Sequence, residues 1–212
     1  MLLTLQVLVD NSCQKLFSSP HTEILHGKAS EGFKLEAYDK KDDQEKFTQE
    51  EIKSDKVFKR LEQLNIYTTT YNHPPLFTVE DSKKLRGDLP GTHCKNLFLR
   101  AKKNEMWLIV CREDLKIDLK GLGQKLGGSR LSFGSPERLL NFLGVMPGSV
   151  SPFALINDKE NVVKVVLDKD MMEGSLLNFH PLTNEKTTAI KPDDLAKYIS
   201  SCGHNFEILD LN

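Results

Sequence analysis

The residues best suited to chemistry stand at the start of an apolar run in the middle of the chain. Lys95 and Asn96 come directly before the apolar residues 97–99. A strand formed by that run would hold both polar side chains at its mouth, where a point charge can meet a phosphate and an amide can meet a polar ligand edge. Taken alone, the pattern favours a solvated strand start, because isolated motif matches are usually false.

A loop bounded by glycine and proline, and a histidine near a predicted strand end, supply the other candidates. The loop consists of Gly148, Ser149, Val150, Ser151 and Pro152. Glycine lets backbone approach a ligand and proline fixes one dihedral angle, so we expect a fixed loop with exposed amides. His180 lies between Phe179 and Pro181, and a lone histidine in such a place is more often a packed core or rim residue than a catalyst.

Other chemistries fit the sequence less well. The glycine run 121–127 has dinucleotide-loop character, but its spacing is one residue too long and no strand leads directly into it. Ser149 and Ser151 are not in a Gly-x-Ser-x-Gly elbow, so a serine hydrolase is not expected. Cys94 stands beside His93, but adjacent side chains of a strand point to opposite faces. We therefore interpret Cys94 as a buried or incidental cysteine.

Length and charge limit the kinds of partner. The chain has 212 residues with 39% apolar content, which allows one sizeable core or one domain with an appendage. The net charge is −1, but residues 1–51 hold six lysines and ten acidic residues, whereas residues 52–212 hold 23 basic and 20 acidic residues. A mildly basic domain can hold a few phosphates locally, but it would not coat DNA.

Metal, redox and membrane roles are not expected. The four cysteines form no Cys-x-x-Cys pair, so we interpret them as reduced thiols; they are Cys13, Cys94, Cys111 and Cys202. No two cysteines or histidines stand at zinc-ligand spacing. The apolar residues 1–9 lack a basic region, end at Asp10 and are too short to span a bilayer. These features predict a soluble, cytoplasmic protein without a metal or a cofactor.

Helices and strands alternate along the part of the chain that must position these residues. The apolar periods and capping signals predict helices over residues 48–65, 78–86, 118–126, 136–144 and 192–201. They predict strands over residues 67–71, 97–101, 106–111, 154–156, 162–167, 176–180, 187–190 and 206–209, with 162–167 pairing back on 154–156. Residues 1–50 show no sustained period and predict a linker or a poorly ordered arm, although residues 2–9 could form an edge strand.

Three stretches taken together resemble the freestanding prolyl-tRNA editing domains, relatives of the insertion domain of bacterial prolyl-tRNA synthetase and of the YbaK-like deacylases. They are residues 92–100, 148–153 and 178–182. The resemblance runs from about Val57 to the C-terminus and includes residues 72–80 and 187–190. It implies a single α/β (α+β) domain over residues 51–212, with a mixed, mostly antiparallel sheet flanked by helices, and an N-terminal extension over residues 1–50.

The resemblance also implies site residues and a reaction. In the alanine-specific branch, positions matching Lys95, Asn96 and His180 contribute to activity, and the loop 148–152 shapes the aminoacyl pocket. The cysteine-specific relatives lack the Asn-Phe-His-Pro segment, so the substrate is expected to be the ester of mischarged Ala-tRNA(Pro). Lys95 would hold a terminal phosphate, while Asn96 and His180 would orient the ribose, the amino group or the water.

Partners and alternatives follow from the same resemblance. The expected partner is the acceptor end of mischarged tRNA(Pro), with prolyl-tRNA synthetase as a second candidate and with neither DNA nor a membrane. Two alternatives stay open. One is a deacylase for Cys-tRNA(Pro) or for another small amino acid, and the other is a non-catalytic tRNA-binding or regulatory protein of the same fold.

Overall fold

A mixed sheet of eight strands forms the centre of the described part of the chain. The computed structural model describes residues 53–75, 89–102, 105–128 and 130–212. The strands are β1 (Thr69–Asn72), β2 (Thr92–Arg100), β3 (Met106–Arg112), β4 (Ser132–Phe133), β5 (Val163–Asp168), β6 (Leu177–Phe179), β7 (Lys186–Ile190) and β8 (Phe206–Leu209). The helices are α1 (residues 53–63), α2 (Leu119–Lys125), α3 (Pro136–Leu143), α4 (Lys169–Met172) and α5 (Pro192–Ser201), with a 3₁₀ helix at Pro152–Asn157.

The strand order confirms the prediction of a mixed, mostly antiparallel sheet flanked by helices. The order is β1-β7-β6-β2-β3-β5-β8, and β4 pairs with the C-terminal end of β2. The pairs β1–β7, β6–β7, β2–β3 and β2–β4 are antiparallel. The pairs β2–β6, β3–β5 and β5–β8 are parallel, and parallel neighbours require crossover connections, which the helices supply.

The two faces of the sheet bury two separate cores. Side chains alternate between faces along a strand, and cross-strand partners share a face. Asn96 pairs with Val110, which belongs to the first core, and Lys95 pairs with Cys111, which belongs to the second. Helices cover the first core with Val57 of α1, Leu143 of α3, Phe153 of the 3₁₀ helix and Tyr198 of α5. The second core lies under Leu122 of α2.

The start of β2 differs from the prediction. The apolar run was expected to open the strand at Leu97, with Lys95 and Asn96 in front of it, but β2 begins at Thr92. The first residues of β2 pair with β6, since Thr92 lies opposite Leu177 and His93 opposite Asn178. Lys95 and Asn96 therefore lie inside a paired strand. Polar residues can continue a strand when a neighbouring strand satisfies their backbone, and the local sequence does not reveal that neighbour.

The predicted strand over residues 154–156 is wrong. Pro152–Asn157 forms a 3₁₀ helix that begins with Pro152, while the side chain of Ser151 accepts a hydrogen bond from the amide of Phe153. Residues 153–156 are buried on all sides, so the apolar run carries no period that separates a strand from a helix. Consequently β5 does not pair back on this segment; it lies between β3 and β8 and is parallel to both.

Capping residues explain why two predicted helices form where expected. The carboxylate of Asp118 accepts hydrogen bonds from the amides of Lys120 and Gly121 at the start of α2. Ser135 caps α3, and Gly144 ends it with a φ of 64°, which favours glycine. The predicted arm over residues 1–50, the edge strand at 2–9 and the helix at 78–86 lie outside the described residues.

Candidate active site

Lys95 and His180 lie on one face of the sheet, and Asn96 lies on the other. Phe179 belongs to the first core, as do the residues that share its face, so His180 follows on the opposite face. Lys95 lies on that opposite face with Cys111. The parallel pairing of β2 with β6 joins Thr92 to Leu177 and His93 to Asn178. Lys95 and His180 each lie two residues beyond the second of these pairs. The two side chains therefore emerge from neighbouring strands on the same side of the sheet.

The ammonium group of Lys95 is held by main-chain carbonyl groups. It donates a hydrogen bond of 3.1 Å to the carbonyl oxygen of Glu113 and a second, short one to the carbonyl oxygen of Leu115. A lysine ammonium has three donors, so one donor is left for a further acceptor. Lys95 is thus a positive charge fixed in place beside the end of β3 rather than a flexible surface arm.

Asn96 ties the proline-bounded loop to the sheet. Its Nδ2 donates a hydrogen bond of 2.9 Å to the carbonyl oxygen of Val150. Val150 itself packs against the first core. The Oδ1 atom of Asn96 is buried and has no hydrogen-bond partner within the described residues, and a buried polar atom without a partner costs free energy. Asn96 therefore positions the loop and retains an acceptor that a ligand could satisfy.

The loop 148–152 has a fixed conformation, but part of its polar surface is used internally. Gly148 has a φ of 96°, which favours glycine. The amide of Ser149 donates to the carbonyl oxygen of Met146, and the hydroxyl of Ser151 accepts from the amide of Phe153. Ser151 and Pro152 are buried. The amide of Ser149 is therefore not free for a ligand, in contrast to the expectation of exposed amides in this loop. Ser151 caps the 3₁₀ helix.

His180 and His73 form a pair of imidazole rings whose tautomers follow from their partners. Their centroids are 5.7 Å apart, with the ring planes tilted by 58°. Nδ1 of His180 lies 2.7 Å from the carbonyl oxygen of Lys186 and must donate to it. Nδ1 of His73 donates to the carbonyl oxygen of Pro74 at 2.9 Å, so its Nε2 accepts from the hydroxyl of Thr187 at 2.9 Å. When both rings are neutral, Nε2 carries the lone pair in each.

Burial lowers the pKa of both imidazole rings, so their neutral forms are more favoured than they would be in water. Desolvation lowers the pKa of His180, with a smaller lowering from His73, while the hydrogen bond to the carbonyl of Lys186 raises it. Desolvation also lowers the pKa of His73, against opposing hydrogen bonds to the carbonyls of Pro74 and Lys186. At neutral pH, His180 can therefore accept a hydrogen bond, or a proton, at Nε2.

The backbone around His180 is held by α1 and by an unusual dihedral angle. The buried hydroxyl of Ser54 donates a hydrogen bond of 2.8 Å to the carbonyl oxygen of Pro181. Leu182 has a φ of 66°, an uncommon value for leucine, and its amide donates to the carbonyl oxygen of His180. Strained backbone of this kind persists only where surrounding contacts hold it, and it clusters at functional sites.

The cysteines in the described residues are not suited to nucleophilic chemistry. Burial raises the pKa of the Cys94 thiol far above its usual range, and it raises the pKa of Cys111 to about 11. Cys94 packs against the first core. Within residues 53–75, 89–102, 105–128 and 130–212, no group of three or more His, Cys, Asp or Glu side chains could hold a metal ion. In the same ranges, the helices are too short or too polar to cross a membrane.

Sequence reasoning missed His73 and Ser54 as residues of this region. Residues 72–80 carried part of the family resemblance, yet the side chain of His73 was not singled out. Its partner Thr187 is 114 residues away in the chain, and Ser54 is 127 residues from Pro181. No local signal places His73 on the same face as His180, because that placement depends on the register of β1 against β7 and of β7 against β6.

Comparison with known proteins assigns the chain to a family. A model of the aminoacyl-tRNA editing domain matches residues 73–198. The prolyl-tRNA editing protein ProX of Acetoanaerobium sticklandii is 38% identical over 156 residues, which cover 73% of this chain and 95% of that protein. The prolyl-tRNA synthetase associated domain-containing protein 1 of Danio rerio is 37% identical, with 72% of this chain and 84% of that protein covered.

A solved structure supports the same fold. It is described provisionally as a trans-editing enzyme for prolyl tRNA synthetase, and it superimposes with a TM-score of 0.60 at 18% identity, covering 76% of this chain and 96% of that one. The chain therefore belongs to the aminoacyl-tRNA editing domain family, and it is an aminoacyl-tRNA hydrolase. The family resemblance that the motifs indicate is confirmed.

Proposed function

We propose that the protein hydrolyses the ester of mischarged Ala-tRNA(Pro) and so removes an error of proline charging. Water adds to the carbonyl carbon, the bond from that carbon to the ribose oxygen breaks, and a proton passes to the ribose oxygen. The products are alanine and tRNA with a free terminal ribose. An aminoacyl ester is already activated, so the site needs only to place the water and to stabilise the charge that develops on the carbonyl oxygen.

The observation that carries the proposal is the neutral His180 on the same face as the fixed charge of Lys95. With Nδ1 donating to Lys186, the Nε2 atom of His180 can orient the water or a ribose hydroxyl. Lys95 retains one donor beyond the two that it gives to carbonyl oxygens. That donor is suited to a phosphate of the tRNA acceptor end.

In this proposal the loop 148–152 shapes the aminoacyl pocket from the face of β2 opposite to Lys95 and His180, and Asn96 anchors the loop there. The bond from Asn96 to the carbonyl of Val150 holds the loop against the sheet. The set of Lys95, Asn96 and His180 is the one that the alanine branch is expected to have. A second, small pocket is needed because a proline pocket discriminates against the smaller alanine by only about 10- to 200-fold.

The cellular setting and the domain boundaries belong to the same proposal. We place the protein in the cytoplasm, where charged tRNA is used, with tRNA(Pro) as the partner and prolyl-tRNA synthetase as a second candidate. The relatives named for prolyl-tRNA editing support tRNA(Pro). We assign the editing domain to residues 51–212 and treat residues 1–50 as an extension that hydrolysis does not need.

Deacylation of Ala-tRNA(Pro) by the full chain under single-turnover conditions tests the proposal. The wild type should release alanine well above the rate without protein, and His180→Ala should lose about 10²- to 10⁴-fold, the usual contribution of a proton-transfer or orienting group. Glu207→Ala, exposed on the edge strand β8, is the control and should stay near wild type. No release by a folded wild type that still binds the tRNA would instead support a non-catalytic tRNA-binding protein.

A further inference from the structure

Three consecutive residues, Glu185 and the first two residues of β7, connect His73 to His180. The carbonyl oxygen of Glu185 accepts a 2.9 Å hydrogen bond from the backbone amide of His73. The carbonyl oxygen of Lys186 accepts from Nδ1 of His180. The hydroxyl of Thr187 lies 2.9 Å from Nε2 of His73. His73 is thus hydrogen-bonded to the residue before Lys186 and to the residue after it, and the carbonyl group of Lys186 orients His180.

We propose that His73 is a positioning residue for His180, acting through Thr187 and through ring contact to hold the His180 ring with its proton on Nδ1. The inference rests on the proposed function of His180, since it specifies how that side chain is held ready. His73 does not touch the reacting atoms in this account.

Each contact contributes separately to the orientation. The Thr187 hydroxyl must donate to His73, because Nδ1 of His73 already donates to the carbonyl of Pro74. This bond fixes the Thr187 side chain and, through it, the adjoining carbonyl of Lys186. The ring of His73, 5.7 Å from that of His180, limits rotation of the His180 ring away from that carbonyl. A second group that orients a histidine by selecting its tautomer is a common device in acid–base sites.

Because Thr187 and His180 are removed from solvent to a large extent, breaking their hydrogen bonds costs free energy. Thr187 is 8% exposed and His180 is half-buried. A buried hydroxyl or ring nitrogen that loses its partner pays a desolvation cost of about 1 to 3 kcal/mol. Loss of the Thr187 bond should therefore shift the local geometry rather than leave the atoms in place and unpaired.

Two substitutions separate positioning from packing. His73→Phe keeps an aromatic ring beside His180 but removes the acceptor for Thr187. Thr187→Val keeps the side-chain volume but removes the hydroxyl, whereas Thr187→Ser restores the hydroxyl. The readout is the tautomer of His180, measured by ¹⁵N NMR of the imidazole in the full chain at a pH where the ring is neutral.

The wild type and Thr187→Ser should show His180 protonated mainly on Nδ1, while His73→Phe and Thr187→Val should show a mixture of both tautomers. The single-turnover rate on Ala-tRNA(Pro) should fall about tenfold in the latter two variants and recover in Thr187→Ser, because a small misplacement of an orienting group is costly. An unchanged His180 tautomer in His73→Phe and Thr187→Val, with both folded, would overturn the proposal.

The NMR measurement does not depend on the substrate. If the tautomer changes as expected but the wild type does not deacylate Ala-tRNA(Pro), the positioning role of His73 stands and the proposed function fails. If the wild type is active and the tautomer is unaffected, the proposed function stands and the role of His73 fails.

Discussion

Lys95 and Asn96, neighbours in the chain, lie on opposite faces of the central sheet. Lys95 pairs with Cys111 over the second core, while Asn96 pairs with Val110 over the first. Lys95 therefore shares its face with His180, and Asn96 reaches the carbonyl of Val150 on the other side. Two adjacent residues of one strand can thus serve different tasks, one as a fixed charge and the other as an anchor for a loop.

Loss of the Asn96 anchor should lower the stability of the fold. Asn96→Ala leaves the Val150 carbonyl without its donor and should lower the free energy of unfolding by about 1 to 3 kcal/mol. Asn96→Asp should cost more, because its carboxylate would point acceptor oxygens at a carbonyl oxygen in a partly buried place. Urea unfolding measures both effects. Stability equal to that of the wild type in Asn96→Asp would show that the hydrogen bond to Val150 does not hold the loop.

The charge of Lys95 should act mainly on tRNA engagement. Lys95→Ala should weaken binding, and Lys95→Arg should retain part of the activity, because the charge survives in a wider, planar group. If one phosphate contact is lost, the slope of log rate against log salt should fall by about 0.7 in magnitude. The deficit of Lys95→Ala should therefore narrow as salt rises, measured at subsaturating protein.

His180→Ala is the contrast for that experiment, since an orienting neutral residue should show little salt dependence. A Lys95→Ala deficit that is independent of salt, together with a Lys95→Arg variant as inactive as Lys95→Ala, would contradict the phosphate role. Lys95 would then act in the chemical step, through the donor that remains beside the carbonyls of Glu113 and Leu115.

The pKa of His180 sets the acid side of the rate profile. Burial lowers this pKa below the usual value of about 6.5, with a smaller contribution from His73, so the midpoint of the decline in rate on the acid side should lie below 6.5. A midpoint above 6.5 for single-turnover release, after correction for hydrolysis without protein, would contradict a neutral, buried His180.

The same pKa direction predicts how stability depends on pH. In the unfolded chain His73 and His180 bind protons more readily than in the fold, where their pKa values are lowered. Their unfavourable contribution is absent above the unfolded pKa and grows as the pH falls from about 6.5 through the lower folded values. Urea unfolding of the wild type between pH 7.5 and pH 5, compared with His180→Phe, measures it.

Local sequence signals were enough to predict the helices and strands whose ends are marked by capping residues or by a change from apolar to polar residues. The cap at Asp118 and the pair of Ser135 and Gly144 mark α2 and α3 in the sequence, and the apolar runs 97–101 and 106–111 mark the two strands of the antiparallel pair β2–β3. Helix caps and apolar runs act over a few residues, so they can be recognised without the tertiary structure.

Long-range contacts were not predictable in the same way. The extension of β2 back to Thr92 depends on β6, which lies more than eighty residues further along the chain. The 3₁₀ helix at Pro152–Asn157 is buried on all sides and has no hydrophobic period. His73 became visible as a candidate only through Thr187 and the ring of His180. The sequence was enough to propose candidate site residues such as Lys95. The face of the sheet on which each candidate lies could be assigned only from the strand register.

The rates at which the full chain releases different amino acids from tRNA(Pro) test the central claim most directly. Ala-tRNA(Pro), Cys-tRNA(Pro) and Pro-tRNA(Pro) would be compared at equal concentration under single-turnover conditions, with hydrolysis in the absence of protein subtracted. Alanine should be released fastest, and proline should be left on the tRNA at close to the uncatalysed rate. Release of cysteine as fast as or faster than alanine would contradict the alanine specificity, and rapid release of proline would contradict an editing role.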